Sequence, residues 1–222
     1  MKASLTTATA ARYLPEDPAT LSIETLRARA KKCEACPLYK IGTQTVFGEG
    51  PPKARIVFVG EQPGDQEDLA GKPFIGPAGR LLDEALTTAK IDREKVYVTN
   101  AVKHFKWTPV GKRRLHQKPN SREIAACRPW LEAELAVLEP EIVVALGATA
   151  AQSLMGSKFR VTQERGRRFD VPWAGAFFAT IHPAAILRGP PEERKKGLEQ
   201  FVADLTEVAK HAAVVGIGNS EA

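Results

Sequence analysis

Along the chain, four short apolar runs alternate with stretches of helical period. Arg55 to Val59, Lys95 to Asn100, Glu141 to Leu146 and Phe177 to Ile181 are rich in Val, Ile and Phe. Runs this short suit strands better than helices, and their near-continuous apolar character predicts burial on both faces. Between them, Arg80 to Lys90 puts Leu81, Leu82, Ala85, Leu86 and Ala89 on one face of a helix beginning near Pro77. Ser22 with Thr25 opens a helix over Leu21 to Lys32, and Ser121 caps one over Ser121 to Leu138, with Glu123 in its first turn. Gly147 to Ala150 turns into a short helix, and about Pro191 to Ala212 forms the last one. Strands alternating with helices predict an α/β fold, a three-layer α/β/α sandwich around a central, mainly parallel four-stranded sheet. One domain accounts for residues 21–212. Residues 1–20 lack any period and read as a loosely held arm, and 213–222 as a flexible tail.

In such a sheet the chemistry collects beyond the C-terminal strand ends. The first strand leads into Gly60 to Gly79, where Glu61, Asp65, Glu67 and Asp68 bring carboxylates, five glycines allow tight turns, and Phe74 is an aromatic without an obvious core to fill. The second strand ends in Asn100, a donor and an acceptor at once. The fourth ends in His182-Pro183. Ala101 to Asn120 has no hydrophobic period and contains His104, Trp107, Lys112, Arg113, Arg114, His116 and Lys118. A structureless stretch of that length reads as a functional loop.

Composition narrows the setting. Hydrophobic content of 43% and charged content of 26% are ordinary for a globular protein. Net charge is +6 although the Gly60 to Gly79 loop is acidic, so the cationic surface lies elsewhere and suits a polyanionic partner. No run approaches the roughly 18 apolar residues of a membrane span, and the N-terminus lacks a signal-like apolar segment, which predicts a cytosolic protein without membrane contact. Three cysteines, Cys33, Cys36 and Cys127, cannot all pair with one another. Cys33-Glu34-Ala35-Cys36 at a helix end can clamp a metal centre, iron–sulfur or zinc. A thioredoxin-like redox pair lacks a preceding strand and leaves Cys127 without a role.

Taken together, GEQPGDQED, GKPFIGPAG, VTNAVKHFK, AACRPWL and IHPAAILR resemble the uracil-DNA glycosylase superfamily over about Cys33 to Ala212. The cysteine pattern is similar to its iron–sulfur, type 4 branch, and GKRRLHQKP resembles the UdgX branch, which cross-links itself to uracil-containing DNA. The type 4 pattern has a cysteine where this chain has His104, and UdgX-like sequences also carry His there. The resemblance implies a [4Fe–4S] cluster on Cys33, Cys36, His104 and Cys127, with a structural Cys₃His zinc as the alternative. It implies that Phe74 stacks on a flipped uracil, that Asn100 reads its edge, and that His182 and the backbone of Gln62 stabilise the leaving anion. Glu61 and Asp65 would face the oxocarbenium sugar, and Glu61 would also orient His116 and accept its proton. His116 would attack C1′ in place of water and remain attached. Lys112, Arg113, Arg114 and Lys118 would contact DNA phosphates. The implied partner is uracil-containing, preferably single-stranded DNA, bound by a monomer that releases free uracil. A conventional, turning-over type 4 enzyme and a non-catalytic, metal-stapled DNA-binding module are the rival expectations.

Overall fold

The computed structural model describes residues 9–217. Five strands form the central sheet: β1 Ile56–Gly60, β2 Val96–Asn100, β5 Ile142–Leu146, β6 Phe169–Val171 and β7 Ala174–Thr180, in the order β2-β1-β5-β7-β6. The first four in that order are parallel, and β6 returns antiparallel on β7 as an edge. The four-strand expectation missed only this edge, because three partly exposed residues, Phe169 to Val171, give no apolar run.

Two apolar cores flank the sheet, and the pleat sorts residues between them. Val57, Val59, Tyr97, Val143, Ala145, Phe177 and Ala179 face one core; Ile56, Phe58, Val96, Val98, Ile142, Val144, Leu146, Ala176 and Phe178 face the other. Period-2 alternation with apolar residues on both faces is what a sheet covered by helices on both sides requires. The first face carries α1 Ile23–Ala30, α4 Ser121–Leu138 and α5 Ala148–Met155. The second carries α3 Pro77–Thr88, α7 Pro183–Arg188 and α8 Pro191–Val214. Two short helices complete the set, α2 Asp65–Ala70 and α6 Val161–Glu164.

Several expectations change in detail. Asn120, not Ser121, caps α4: its side chain accepts from the Glu123 N–H and the Glu123 carboxylate accepts from the Asn120 N–H, a reciprocal capping box. The supposed loop 101–120 contains a hairpin, β3 Trp107–Val110 and β4 Arg113–His116, turned at Gly111 with φ +58°. Its apolar side chains face outward, so no alternation toward the core announces it. The arm is packed from Ala10 onward: Ala10 is fully buried and Tyr13 stacks on Trp130. At the other end α8 continues to Val214, and Arg55 donates to the carbonyls of Val215 and Gly216. Residues 1–8 of the expected arm and 218–222 of the tail lie outside the described residues.

Candidate active site

The strand order places a topological switch between β1 and β5: from β1 the chain moves to one side, then returns to the other. Loops leaving two such strands diverge and leave a crevice at their C-terminal ends. A cavity of about 660 Å³ opens there, lined among others by Glu61, Gln62, Phe74, Asn100, His116 and His182. Asp65, Thr149 and Lys118 also border it.

Its floor is an aromatic platform held at close quarters. Phe74 is buried, and its ring stacks on the imidazole of His182 with centroids 6.2 Å apart and an interplanar angle of 24°. Its φ of 55° is left-handed, a conformation a bulky residue adopts only when its surroundings demand it. Gly79, in the first turn of α3, makes that possible, since a Cβ there would sit 1.7 Å from the Phe74 carbonyl oxygen. Asn100 closes one wall with 3% exposure, and no hydrogen bond engages its side chain among the described residues. A buried amide with free donor and acceptor capacity is poised for a ligand.

His182 is the N-cap of α7, and its Nδ1 accepts the Ala184 N–H at 3.1 Å. That bond assigns the proton of the neutral ring to Nε2. Burial, reinforced by the charge of Arg188 and by His116, lowers its pKa to about 4. The site therefore presents a neutral N–H donor across the physiological range.

His116 reaches the cavity from the last residue of β4. Its Nε2 stands 3.5 Å from Glu61 Oε1 and 2.9 Å from Gln62 Nε2. Gln62 Oε1 accepts the Lys106 N–H, which orients the amide, and its NH₂ donates to the carbonyls of Gln117 at 2.9 Å and Lys106 at 3.3 Å and stands in contact with His116 Nε2. His116 Nε2 thus stands between the Gln62 amide and the Glu61 carboxylate. Desolvation by burial lowers the His116 pKa, against the opposing charge of Glu61. Glu61 Oε1 is the carboxylate oxygen that faces Nε2, beside His116 where the sequence reading expected it. Its other oxygen accepts from the Thr149 hydroxyl at the start of α5, a partner that sequence reasoning missed. The signal for Thr149 was its position just beyond β5, at the same sheet edge as Glu61.

Arg114 departs from the expected phosphate role. Its guanidinium pairs with Asp65 Oδ1 at 2.5 Å and Asp68 Oδ2 at 2.6 Å, donates to Thr43, and lies over the Phe105 and Trp107 rings. Asp68 is fully buried and also accepts the Thr43 N–H. Arg114 therefore latches the hairpin to the acidic loop, and two of that loop's carboxylates serve the latch. A third, Glu67, accepts the Gly76 N–H. Lys112, Arg113 and Lys118 remain exposed.

The three cysteines are unpaired and belong to the same apolar core, Cys33 and Cys127 buried and Cys36 partly so, with the Lys103 N–H donating to Cys127 Sγ at 3.2 Å. Burial raises Cys127 to about 12 and also raises Cys36, so thiolates there require a cationic centre. Three soft donors fit iron–sulfur or zinc. His104 is not brought to them: its Nε2 meets Thr45 Oγ1 at 3.0 Å, and burial lowers its pKa to about 4. Among the described residues no group of three or more His, Cys, Asp or Glu stands at metal-holding distance.

The profile of the family described as "Uracil DNA glycosylase superfamily" matches residues 47–206, which span both the sheet and the cavity. A type-4 uracil-DNA glycosylase of Thermotoga maritima is 41% identical over 191 residues, covering 85% of this chain and 93% of the relative. One from Pyrobaculum aerophilum is 37% identical over 82% of this chain and 93% of its own length. A type-5 uracil-DNA glycosylase of Thermus thermophilus is 29% identical over 76% and 81%. With a parallel sheet, a switch-point cavity and relatives matching nearly end to end, the chain belongs to the uracil-DNA glycosylase superfamily.

Proposed function

We propose that the protein excises uracil from DNA, and that the observation carrying this reading is the cavity in which Phe74, Asn100 and the Nε2–H of His182 converge. A flipped uracil would stack on Phe74. The Asn100 amide would meet its O4 and N3–H edge, a pattern that cytosine reverses. As the C1′–N1 bond breaks, its electron pair passes to the base, and His182 donates to O2 without becoming charged. The developing sugar cation would face Glu61, with Asp65 at the rim.

For the fate of C1′ we favour attack by His116. Support comes from its place on the cavity wall, with Nε2 3.5 Å from the Glu61 carboxylate. Nε2 would give up the Gln62 hydrogen bond, bond to C1′, and shed the Nδ1 proton to water. An alkylated imidazole is a poor leaving group, so the reaction would stop after one turnover. The second reading, attack by water with turnover, draws on the type-4 names of the similar proteins. Lys112, Arg113 and Lys118 would hold the phosphates, preferably of a single strand, and we take the working unit to be a monomer. The domain would comprise residues 21–212 together with the packed part of the arm.

Cys33, Cys36 and Cys127 would hold a [4Fe–4S] cluster, with His104 as fourth ligand after its ring leaves Thr45. Bound there, such a cluster would staple α1, the loop after β2 and α4 together. Visible absorption and an iron-to-zinc ratio decide between it and zinc.

The test is denaturing electrophoresis after mixing the protein with a uracil-containing single strand, beside a His116→Ser variant. A heat- and SDS-resistant band that the variant lacks supports the covalent reading. Abasic DNA without that band leaves the hydrolytic reading, and intact DNA overturns both.

A further inference from the structure

Behind Asn100, away from the cavity, lies a polar network with no access to solvent. Lys103 and Glu134 are each 0% exposed and form an ion pair. The three protons of the Lys103 ammonium go to the Glu134 carboxylate, to Thr99 Oγ1 at 2.7 Å and to the backbone carbonyl of Asn100 at 2.7 Å. Glu134 Oε1 in turn accepts from the Tyr97 hydroxyl at 2.9 Å, Thr99 Oγ1 at 3.0 Å and the Gly48 N–H at 3.1 Å. Every donor and acceptor in the group is used. A buried pair of this kind adds little net stability over apolar residues of the same size. Its presence needs another reason.

That reason is visible at the Asn100 peptide. The next N–H, of Ala101, donates to the Gly60 carbonyl at 2.9 Å, and the Val102 N–H donates to the Glu61 backbone carbonyl at 3.0 Å. The Asn100 carbonyl points to the outer side of this edge strand, away from β1, and accepts from the ammonium of Lys103. The backbone bearing the Asn100 side chain is thus gripped on one side by β1 and on the other by Lys103. With no partner of its own, the Asn100 side chain takes its aim from that backbone.

We infer that Lys103, held by Glu134, is a positioning residue that sets the angle at which Asn100 meets a base in the cavity. The inference rests on the proposed base-reading role of Asn100. It predicts that specificity, more than folding, depends on the ammonium-to-carbonyl bond. A side chain that reads a donor–acceptor edge loses its discrimination when tilted, because misaligned hydrogen bonds weaken steeply.

Lys103→Met alone strands a buried carboxylate, so the working variant is Lys103→Met with Glu134→Gln, which keeps an oxygen acceptor for Tyr97, Thr99 and Gly48. It is made in the full chain, in wild-type and Asn100→Ala backgrounds. The readouts are single-turnover excision of uracil from a single strand, excision of cytosine at saturating enzyme, and melting temperature. The expected result is a double variant that melts near wild type, excises uracil about tenfold more slowly and prefers uracil over cytosine about tenfold less. In the Asn100→Ala background the same pair of changes should cost less than about twofold, because the residue through which they act is gone. Equal losses in both backgrounds, or no loss in the wild-type background, overturn the positioning role while leaving Asn100 as base reader. An Asn100→Ala protein with unchanged rate and specificity overturns the base-reading role itself, and the positioning role with it.

Discussion

Gly60 allows a quantitative test of the packing behind the cavity. It is the last residue of β1, and a Cβ built there would lie 2.3 Å from Asn100 Oδ1 and 2.7 Å from Phe74 Cζ. Ordinary contact begins near 3.4 Å, so Gly60→Ala forces the amide back by about 1.1 Å and the ring by about 0.7 Å. Both side chains line the cavity, so each can retreat only by leaving the position it presents there, while the Phe74 backbone stays pinned against Gly79. Overpacking of this kind costs about 1–3 kcal/mol, or roughly 2–12 °C in melting temperature for a domain of this size. The functional cost is larger, because displacing a recognition group by about 1 Å can slow a reaction on the order of a hundredfold. The assay pairs thermal melting with single-turnover uracil excision, using Gly197→Ala as the control. Gly197 is an interior residue of α8 whose added Cβ would meet Ile186 at 3.5 Å or more. That control should be neutral or stabilising by up to about 1 kcal/mol, with unchanged excision. Gly60→Ala with wild-type excision would refute the claim that Asn100 and Phe74 are held by close contact with β1.

Three further outcomes are expected. His182 has a folded pKa of about 4, below the ordinary value of 6.5, so its stability contribution is complete above pH 6.5 and drains away as pH falls toward 4. Between pH 7 and pH 5 urea melts should show His182→Gln losing about 2 kcal/mol less than wild type, the remaining loss coming from other lowered histidines such as His104; an identical loss in the variant contradicts the neutral imidazole. Arg114→Ala strips the fully buried Asp68 of its cation and frees the hairpin, so about 2–4 kcal/mol of stability and most His116-dependent adduct should go. Arg114→Lys, with no fork to span Asp65 and Asp68, should not restore either in melts or on denaturing gels. Lys112→Ala with Arg113→Ala should weaken single-strand binding and flatten the slope of log affinity against log salt by about 0.7 per lost phosphate contact, measured by fluorescence anisotropy. An unchanged slope would place the DNA path elsewhere.

What was legible in the sequence was whatever short-range pattern dictates. Four apolar runs could only be buried strands, the 3.6-residue stripe of Leu82, Ala85 and Leu86 could only be a helix packed on one face, and alternation of the two gave the parallel sheet. From that layout alone Glu61, Asn100 and His182 were expected at one edge, and they line one cavity. Tertiary structure decided which polar groups are free to act. Nothing in the order of residues reveals that Arg114 is spent on Asp65 and Asp68, that Thr149 holds Glu61, or that Lys103 pairs with Glu134. Periodicity records which side of an element faces the core. A hydrogen bond or ion pair between residues 30 to 90 positions apart depends on how elements stack and on where a side chain a few ångströms long ends, and no local pattern encodes that.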